Sequence, residues 1–252
     1  MPTQTLFENA EHKNVLLEDF TSGQMVQANQ HVIVHRGQAM LLDPGGHKVY
    51  AAVLGELSAV APTGNLKYIF LSHQDPDIVA ATNAWLMVTE ATAYIPGPWM
   101  RFIMHFGVDD MVMDRILPIP DRGMTLDLAG CSLQILPAHF LHSPANFQVY
   151  DPVSKILYSG DLGASLGQTY TVVQNFDDHL QYMETFHRRY MASNKVLRLW
   201  VDMVRPLDIE ILAPQHGAML VGKEMVQRFL AWVENLACGV DLVDNLFHLP
   251  GS

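Results

Sequence analysis

Alternating apolar and polar positions mark the clearest elements of this chain. "HVIVH" (31–35) and "AMLLD" (39–43) are β-branched and apolar runs joined by "RGQ", a pattern that predicts a hairpin. It closes on Asp43-Pro44-Gly45-Gly46, a loop that needs permissive backbone. "KVYAAVLGELSAVAP" then takes helical apolar spacing and ends before Pro62. "LKYIFLSH" reads as a buried strand ending on His73, and "PDIVAATNAWLMVTEA" as one helix with Pro76 in its first turn. A short strand "TAYI" and the aromatic-rich loop "PGPWMRFIMHFGVDD" follow. "MTLDLAGCSLQILPAHFLHS" predicts two paired strands turning near Asp127-Leu128-Ala129-Gly130. "NFQVYDPVSKILYSGDLG" predicts another hairpin, with Asp161 at its strand end. Residues 175–204 read as mainly helical, "DIEILAPQHGAML" as a last strand ending at His216, and "GKEMVQRFLAWVENLACG" as a helix stopped by Gly239. No element is assigned to the opening "MPTQTLFENAEHKN" or to the tail from about 240 to 252.

Hairpins, strand–helix units and more hairpins in that order predict an α/β fold in which two mixed sheets pack together with helices outside. The 252 residues, 49% of them hydrophobic, are ample for one core, so residues 1–252 are expected to form a single domain. A net charge of −11 argues against a phosphate-tracking nucleic-acid binder. No apolar run approaches the length of a membrane span, and the polar opening offers no signal peptide. Two distant cysteines, Cys131 and Cys238, argue against a disulfide framework and set a reducing cytoplasm as the expectation.

Twelve histidines prompt a search for metal ligands. Four segments answer it: His73-x-Asp75-x-Asp77, His142, Asp161 and His216, each just after an apolar strand. In α/β folds that is where sites are built. Imidazole and carboxylate without thiolate suit zinc, iron or manganese, and Asp161 in "YSGDLG" has the context of a carboxylate bridging two metals. Each piece alone has a structural reading. A lone histidine at a strand end is commonly a hydrogen-bonding residue, and Asp75 or Asp77 can serve the start of a helix. Their joint order is much harder to reach by chance.

In that order the chain resembles the metallo-β-lactamase superfamily, whose pattern is His-x-His-x-Asp-His followed by His, Asp and His. Within it the likeness is to the flavodiiron proteins, in which the second His is a carboxylate. Here the motif is His73-Gln74-Asp75-Pro76-Asp77-Ile78. "LHSPANF" resembles the flavodiiron segment that places the ligand at His142 rather than His139, "YSGD" matches the bridging Asp, and "APQHG" resembles "APSHG". "NQHVIV" and "MLLDPGG" resemble the same family's first strands, so the likeness runs from about Asn29 to Met219. Two departures stand out. No flavodoxin-like domain follows, and the apolar Ile78 cannot ligate metal. That combination resembles the stand-alone oxygen-binding diiron proteins, some linked to bacterial chemotaxis.

The resemblance implies an αββα sandwich and a non-haem site of two irons, with manganese or zinc as alternatives and no FMN on this chain. It implies His73, Asp75 and His142 on one metal, Asp77 and His216 on the other, and Asp161 between them. The carboxylate at 75 is a harder donor than imidazole and favours iron or manganese over zinc. Ile78 leaves the second metal more open and the pocket drier. The expected function is binding of dioxygen or nitric oxide, as sensor, carrier or slow reductase fed by an outside electron donor. A chemotaxis-type signalling partner and a homodimer are further expectations. The competing reading is a zinc hydrolase of the same fold acting on a thioester, lactone or phosphodiester; a metal-free interaction module is a third. His139 is a candidate replacement for the ligand missing at Ile78 or an outer hydrogen-bonding partner, and His105 a candidate cover over the pocket. His187-Arg188-Arg189 reads as a solvated helix face, and His31, His35, His47 and His248 have no context that promotes them.

Overall fold

A computed structural model describes residues 3–17, 19–244, 247 and 249. Two of its hairpins close on two-residue turns. Strands β1 (Gln4–Glu8), β2 (His12–Leu16), β3 (His31–His35) and β4 (Gln38–Leu42) form an antiparallel meander. The β3–β4 turn places Arg36 and Gly37 at φ +46° and +80°, the left-handed pair that matches the twist of a tight hairpin. Strands β5 (Leu66–Phe70), β6 (Thr92–Pro96) and β7 (Ile116–Ile119) extend this sheet in parallel. The second sheet contains β8 (Met124–Leu128), β9 (Cys131–Pro137), β10 (Phe147–Asp151), β11 (Ile156–Gly160), β12 (Ile211–Pro214) and β13 (Leu220–Val221). Its order is β13-β12-β11-β10-β9-β8, with only β11 and β12 parallel. Both sheets are therefore mixed, as expected.

Period-two alternation sorts side chains into layers. On β3 and β4, Val32 and Leu41 face helices while Ile33 and Met40 face the other sheet. Helices α1 (Tyr50–Val60), α2 (Pro76–Val79), α3 (Thr82–Val88) and α4 (Met100–Ile103) lie on the first sheet around Leu57, Ile69 and Trp85. Helices α5 (Phe176–Tyr190), α6 (Asn194–Val204) and α7 (Lys223–Glu234) lie on the second, around Met183, Trp200 and Phe229. Phe70, Leu133 and Phe147 fill the space between sheets. The result is the αββα sandwich.

Several elements depart from the pattern reading. β1 and β2 occupy the opening, whose polar composition hides them: β1 is an edge strand with polar residues outside, and β2 buries the polar His12 and Asn14. β7 was hidden by Pro118, tolerated here at the sheet's edge. The helix expected over 76–91 is two pieces. At their junction the Thr82 hydroxyl donates to the Val79 carbonyl at 2.7 Å, competing for the acceptor a continuous helix would use. The aromatic-rich loop forms short helical turns, including α4. α7 stops at Glu234 rather than running to Gly239, with Asn235 Nδ2 donating back to the Ala231 carbonyl. In the tail, Gly239–Leu242 forms one 3₁₀ turn, and His248 lies outside the described residues. No helix among the described residues is long and apolar enough to cross a membrane.

Candidate metal centre

The segments that leave β5, β9, β11 and β12 bring six side chains together. His73 Nε2 lies 3.6 Å from Asp75 Oδ2 and 3.7 Å from Asp161 Oδ2. His142 Nε2 lies 3.5 Å and 2.8 Å from the same two oxygens. On the other side, His216 Nε2 lies 3.5 Å from Asp77 Oδ2 and 3.5 Å from Asp161 Oδ1. The two oxygens of Asp161 thus face different residue sets, His73–Asp75–His142 and Asp77–His216. Asp75 stands at the start of α2, yet its side chain makes no capping hydrogen bond. Its carboxylate faces the histidines instead of the helix amides.

All three histidines aim Nε2 inward. His216 Nδ1 lies 2.5 Å from the Gln27 carbonyl. A carbonyl only accepts, so this ring carries its proton on Nδ1 and presents a lone pair at Nε2. His73 Nδ1 pairs with the Ser72 hydroxyl at 2.9 Å. The Gln74 side chain donates to Asp75 Oδ1 at 2.8 Å and accepts from Ser143 Oγ at 2.6 Å, leaving Asp75 Oδ2 for the site. Backbone order around His216 comes from the opening segment. Asn29 Nδ2 donates to the carbonyls of Pro214 and Gly217, and the Gly217 amide donates to Gln27 Oε1.

The charges are mutually adjusted. Burial opposes ionisation of Asp161, but His73, His142 and His216 outweigh it and hold its carboxyl at about 2. Burial likewise opposes charge on His142, yet hydrogen bonds to Asp161 and Asp75 push the imidazole up to about 10. Asp75 is held well below the usual carboxylate range despite burial, by His142 and His73. Asp77 is raised, by burial first and by Asp161 and Asp75 next.

These residues fit a pair of cations. His73 Nε2 and Asp161 Oδ1 are buried without a hydrogen-bond partner, and buried polar atoms are seldom left so. The ligand atoms of His73, Asp75, His142 and Asp161 all lie within 4.8 Å of one another. Imidazole and carboxylate donors without sulfur match iron, manganese or zinc.

Other expected residues stand elsewhere. Ile78 is fully buried and packs in the apolar layer between α2, α3 and the first sheet. His139 turns Nε2 to the Asp121 carbonyl at 2.8 Å and packs edge-on against Phe147. Its inward role as a replacement ligand is not realised. His105 is exposed on a 3₁₀ turn. The His187 reading is corrected: this ring is buried, not solvated. Its Nδ1 donates to the Met183 carbonyl and its Nε2 accepts from the Gly163 amide at 2.8 Å, pinning the loop that carries Asp161. The spacing Phe176–His179–Met183–His187 along α5 carried the signal, since those positions share one buried face. Asp43, noted only as part of a tight loop, accepts the Ser72 amide at 2.8 Å, and burial raises its carboxyl to about 6.

Gly217 sets the position of His216. Its φ is +83°, and a Cβ there would overlap the Ser165 hydroxyl and carbonyl. Gly217→Ala is therefore expected to destabilise the chain by roughly 1–3 kcal/mol from the backbone conformation alone and to weaken metal retention. Thermal melting and metal content after dialysis read the two effects; unchanged values for both would contradict this role.

Comparison with known proteins agrees with this geometry. Residues 26–217 match the family described as ODP family beta lactamase. A chemotaxis sensor ODP, solved as its peroxy diiron species, is 43% identical over 98% of this chain and 100% of its own, with a TM-score of 0.88. A flavo di-iron protein from Thermotoga maritima shares the fold at 17% identity and a TM-score of 0.76, over 92% of this chain and 61% of its own. The type A flavoprotein fprA of Rhodobacter capsulatus is 24% identical over 170 residues, 65% of this chain and 38% of that protein. The chain spans 33–50% of the length of the curated relatives it matches. The match over residues 26–217 and the full-length likeness to the sensor place this chain in the ODP family of beta-lactamase-fold proteins.

Proposed function

We propose that this chain is a non-haem diiron protein that binds dioxygen and serves as an oxygen sensor. One observation carries the reading: each oxygen of Asp161 faces its own histidine–carboxylate set. His73, Asp75 and His142 would hold one iron, Asp77 and His216 the other, and Asp161 would bridge them. Bound irons would supply the electrons and the open positions that a diatomic gas, dioxygen or nitric oxide, requires. The likeness to a chemotaxis sensor whose diiron site is named in its peroxy form supports the sensory role.

The chain's own residues would shape that site. The Ser72 hydroxyl and Gln27 carbonyl fix how His73 and His216 present Nε2. Phe186 and Tyr190 stack on one another with ring centroids 4.7 Å apart, and both meet His142 edge-on. They form an aromatic wall beside the first residue set. Ile78 contributes no donor next to Asp77, so the second set stays poorer in ligands. With a carboxylate at 75 and an alkyl group at 78, both positions lack the imidazoles expected of a zinc hydrolase. The proposal extends to a reducing cytoplasm, in keeping with two buried free thiols, and to a signalling partner that reads the liganded state. An outside donor would re-reduce the irons, and the proposal includes a homodimer.

Purification without oxygen followed by iron and zinc analysis tests the metal. Iron in excess of zinc supports the reading; tightly held zinc with esterase or lactonase turnover sinks it. Ile78→His tests the open position. Adding an imidazole beside Asp77 is expected to slow or alter the reaction of the iron-loaded protein with oxygen, measured by stopped flow. Identical kinetics in a folded variant would mean that position 78 has no part in gas binding.

A further inference from the structure

One end of the space between the two sheets holds a cluster of polar side chains. There His12 and Asn14 of β2, His35 of β3, Cys131 of β9, Asp151 of β10 and Tyr158 of β11 are all buried together. This end is remote from Asp161. His35 and Asp151 flank the β3–β4 and β10–β11 turns, whereas Asp43 and Asp161 leave the opposite ends of β4 and β11. Those strands have five residues each, a span of roughly 17 Å.

Asp151 organises the cluster. Its Oδ2 accepts from Asn14 Nδ2 and Ser154 Oγ, both at 2.8 Å, and its Oδ1 from the Val153 amide at 3.0 Å. His12 Nε2 lies 2.7 Å from the same Oδ2. Burial opposes the Asp151 charge, yet these donors, His12 first, hold its carboxyl below the usual range. An ionised acceptor fixes the His12 proton on Nε2, so Nδ1 is turned away from the carboxylate. That Nδ1 lies 3.1 Å from His35 Nδ1. Two imidazole nitrogens and the Cys131 sulfur lie within 4.8 Å of one another. A histidine with its far nitrogen on a carboxylate and its near nitrogen facing other donors has the arrangement that orients metal ligands.

We propose that His12 Nδ1, His35 Nδ1 and Cys131 Sγ bind a zinc ion between the sheets, with Asp151 orienting His12 from behind and water at the fourth position. Two imidazoles and one thiolate form a donor set that zinc accepts and hard cations avoid. Charge decides for a divalent ion: zinc, the Cys131 thiolate and the Asp151 carboxylate sum to zero, whereas a monovalent ion would leave a buried negative charge. Without a cation the thiol keeps its proton, because burial and then Asp151 push it up to about 12. On binding, the S–H bond breaks, the Zn–S bond forms and the proton leaves to solvent. His35 then carries its ring proton on Nε2, and no electron is transferred. The ion would join β2 and β3 of one sheet to β9 of the other.

Sulfur makes the test specific, because the Asp161 site contains no thiolate. The wild-type chain loaded with cobalt(II) is expected to show thiolate-to-cobalt charge-transfer absorption in the near ultraviolet. Cys131→Ser should abolish that band and Cys238→Ser should keep it. X-ray absorption of the zinc-loaded wild-type chain should show a sulfur shell at about 2.3 Å, a measurement that requires no substitution. No cobalt band in the wild-type chain, a band that survives Cys131→Ser, or zinc without sulfur scattering would each overturn the proposal.

Discussion

Asp161→Ala is expected to lower iron loading from roughly two ions per chain to one or none. The reason is geometric. Asp161 Oδ2 faces His73 and His142 while Oδ1 faces His216, so one substitution removes a donor from both halves. It also removes the charge that His142 needs, since hydrogen bonds to Asp161 and Asp75 are what hold that imidazole up against burial. Three histidines gathered without their central carboxylate have less reason to converge. Metal analysis after anaerobic loading reads the effect, and circular dichroism checks that the variant folds. Unchanged iron content would contradict the bridging assignment.

Asp151→Ala is expected to have the largest effect on stability, at the opposite end of the sandwich. It strands buried donors of His12, Asn14 and Ser154 together with the Val153 amide. Removing one partner of a buried charged network costs about 3–5 kcal/mol, a fall in melting temperature of roughly 10 °C for a chain of this size. The metal-free protein should show it, so the loss is independent of iron. Thermal unfolding of the metal-free variant beside metal-free wild type provides the measurement. A difference below ~1 kcal/mol would mean that water replaces the carboxylate and that this end is not a sealed network.

The residues that converge on Asp161 were legible because each follows an apolar strand, where α/β folds collect their sites. His73, Asp161 and His216 each end such a run, and Pro76 after the first and Gly160 and Gly217 beside the other two marked the breaks. The resemblance added the pairing of His142 with these residues, which spacing alone did not give. Period-two and helical patterns also recovered β3 to β6 and β8 to β12, because these elements bury at least one full face. The clearest miss comes from a partner distant along the chain. His12 finds Asp151 at a separation of 139 residues, and nothing near "EHKN" distinguishes an inward polar residue from an outward one. His187 stood beside two arginines and read as solvated, although helical spacing with Met183 puts it inside. His139 follows the inverse logic: it neighbours His142 in sequence, but its ring turns to Asp121 instead.

The central claim is that this carboxylate-rich pair of residue sets binds dioxygen on two irons. Its most direct measurement is an oxygen titration of the chain loaded anaerobically with Fe(II), following visible absorption and oxygen consumed per chain. The account predicts saturation near one dioxygen per two irons, on the order of unity, with a visible charge-transfer band that Asp161→Ala lacks. An iron-loaded chain that consumes no oxygen and stays colourless, or one that refuses iron and holds zinc, would contradict it.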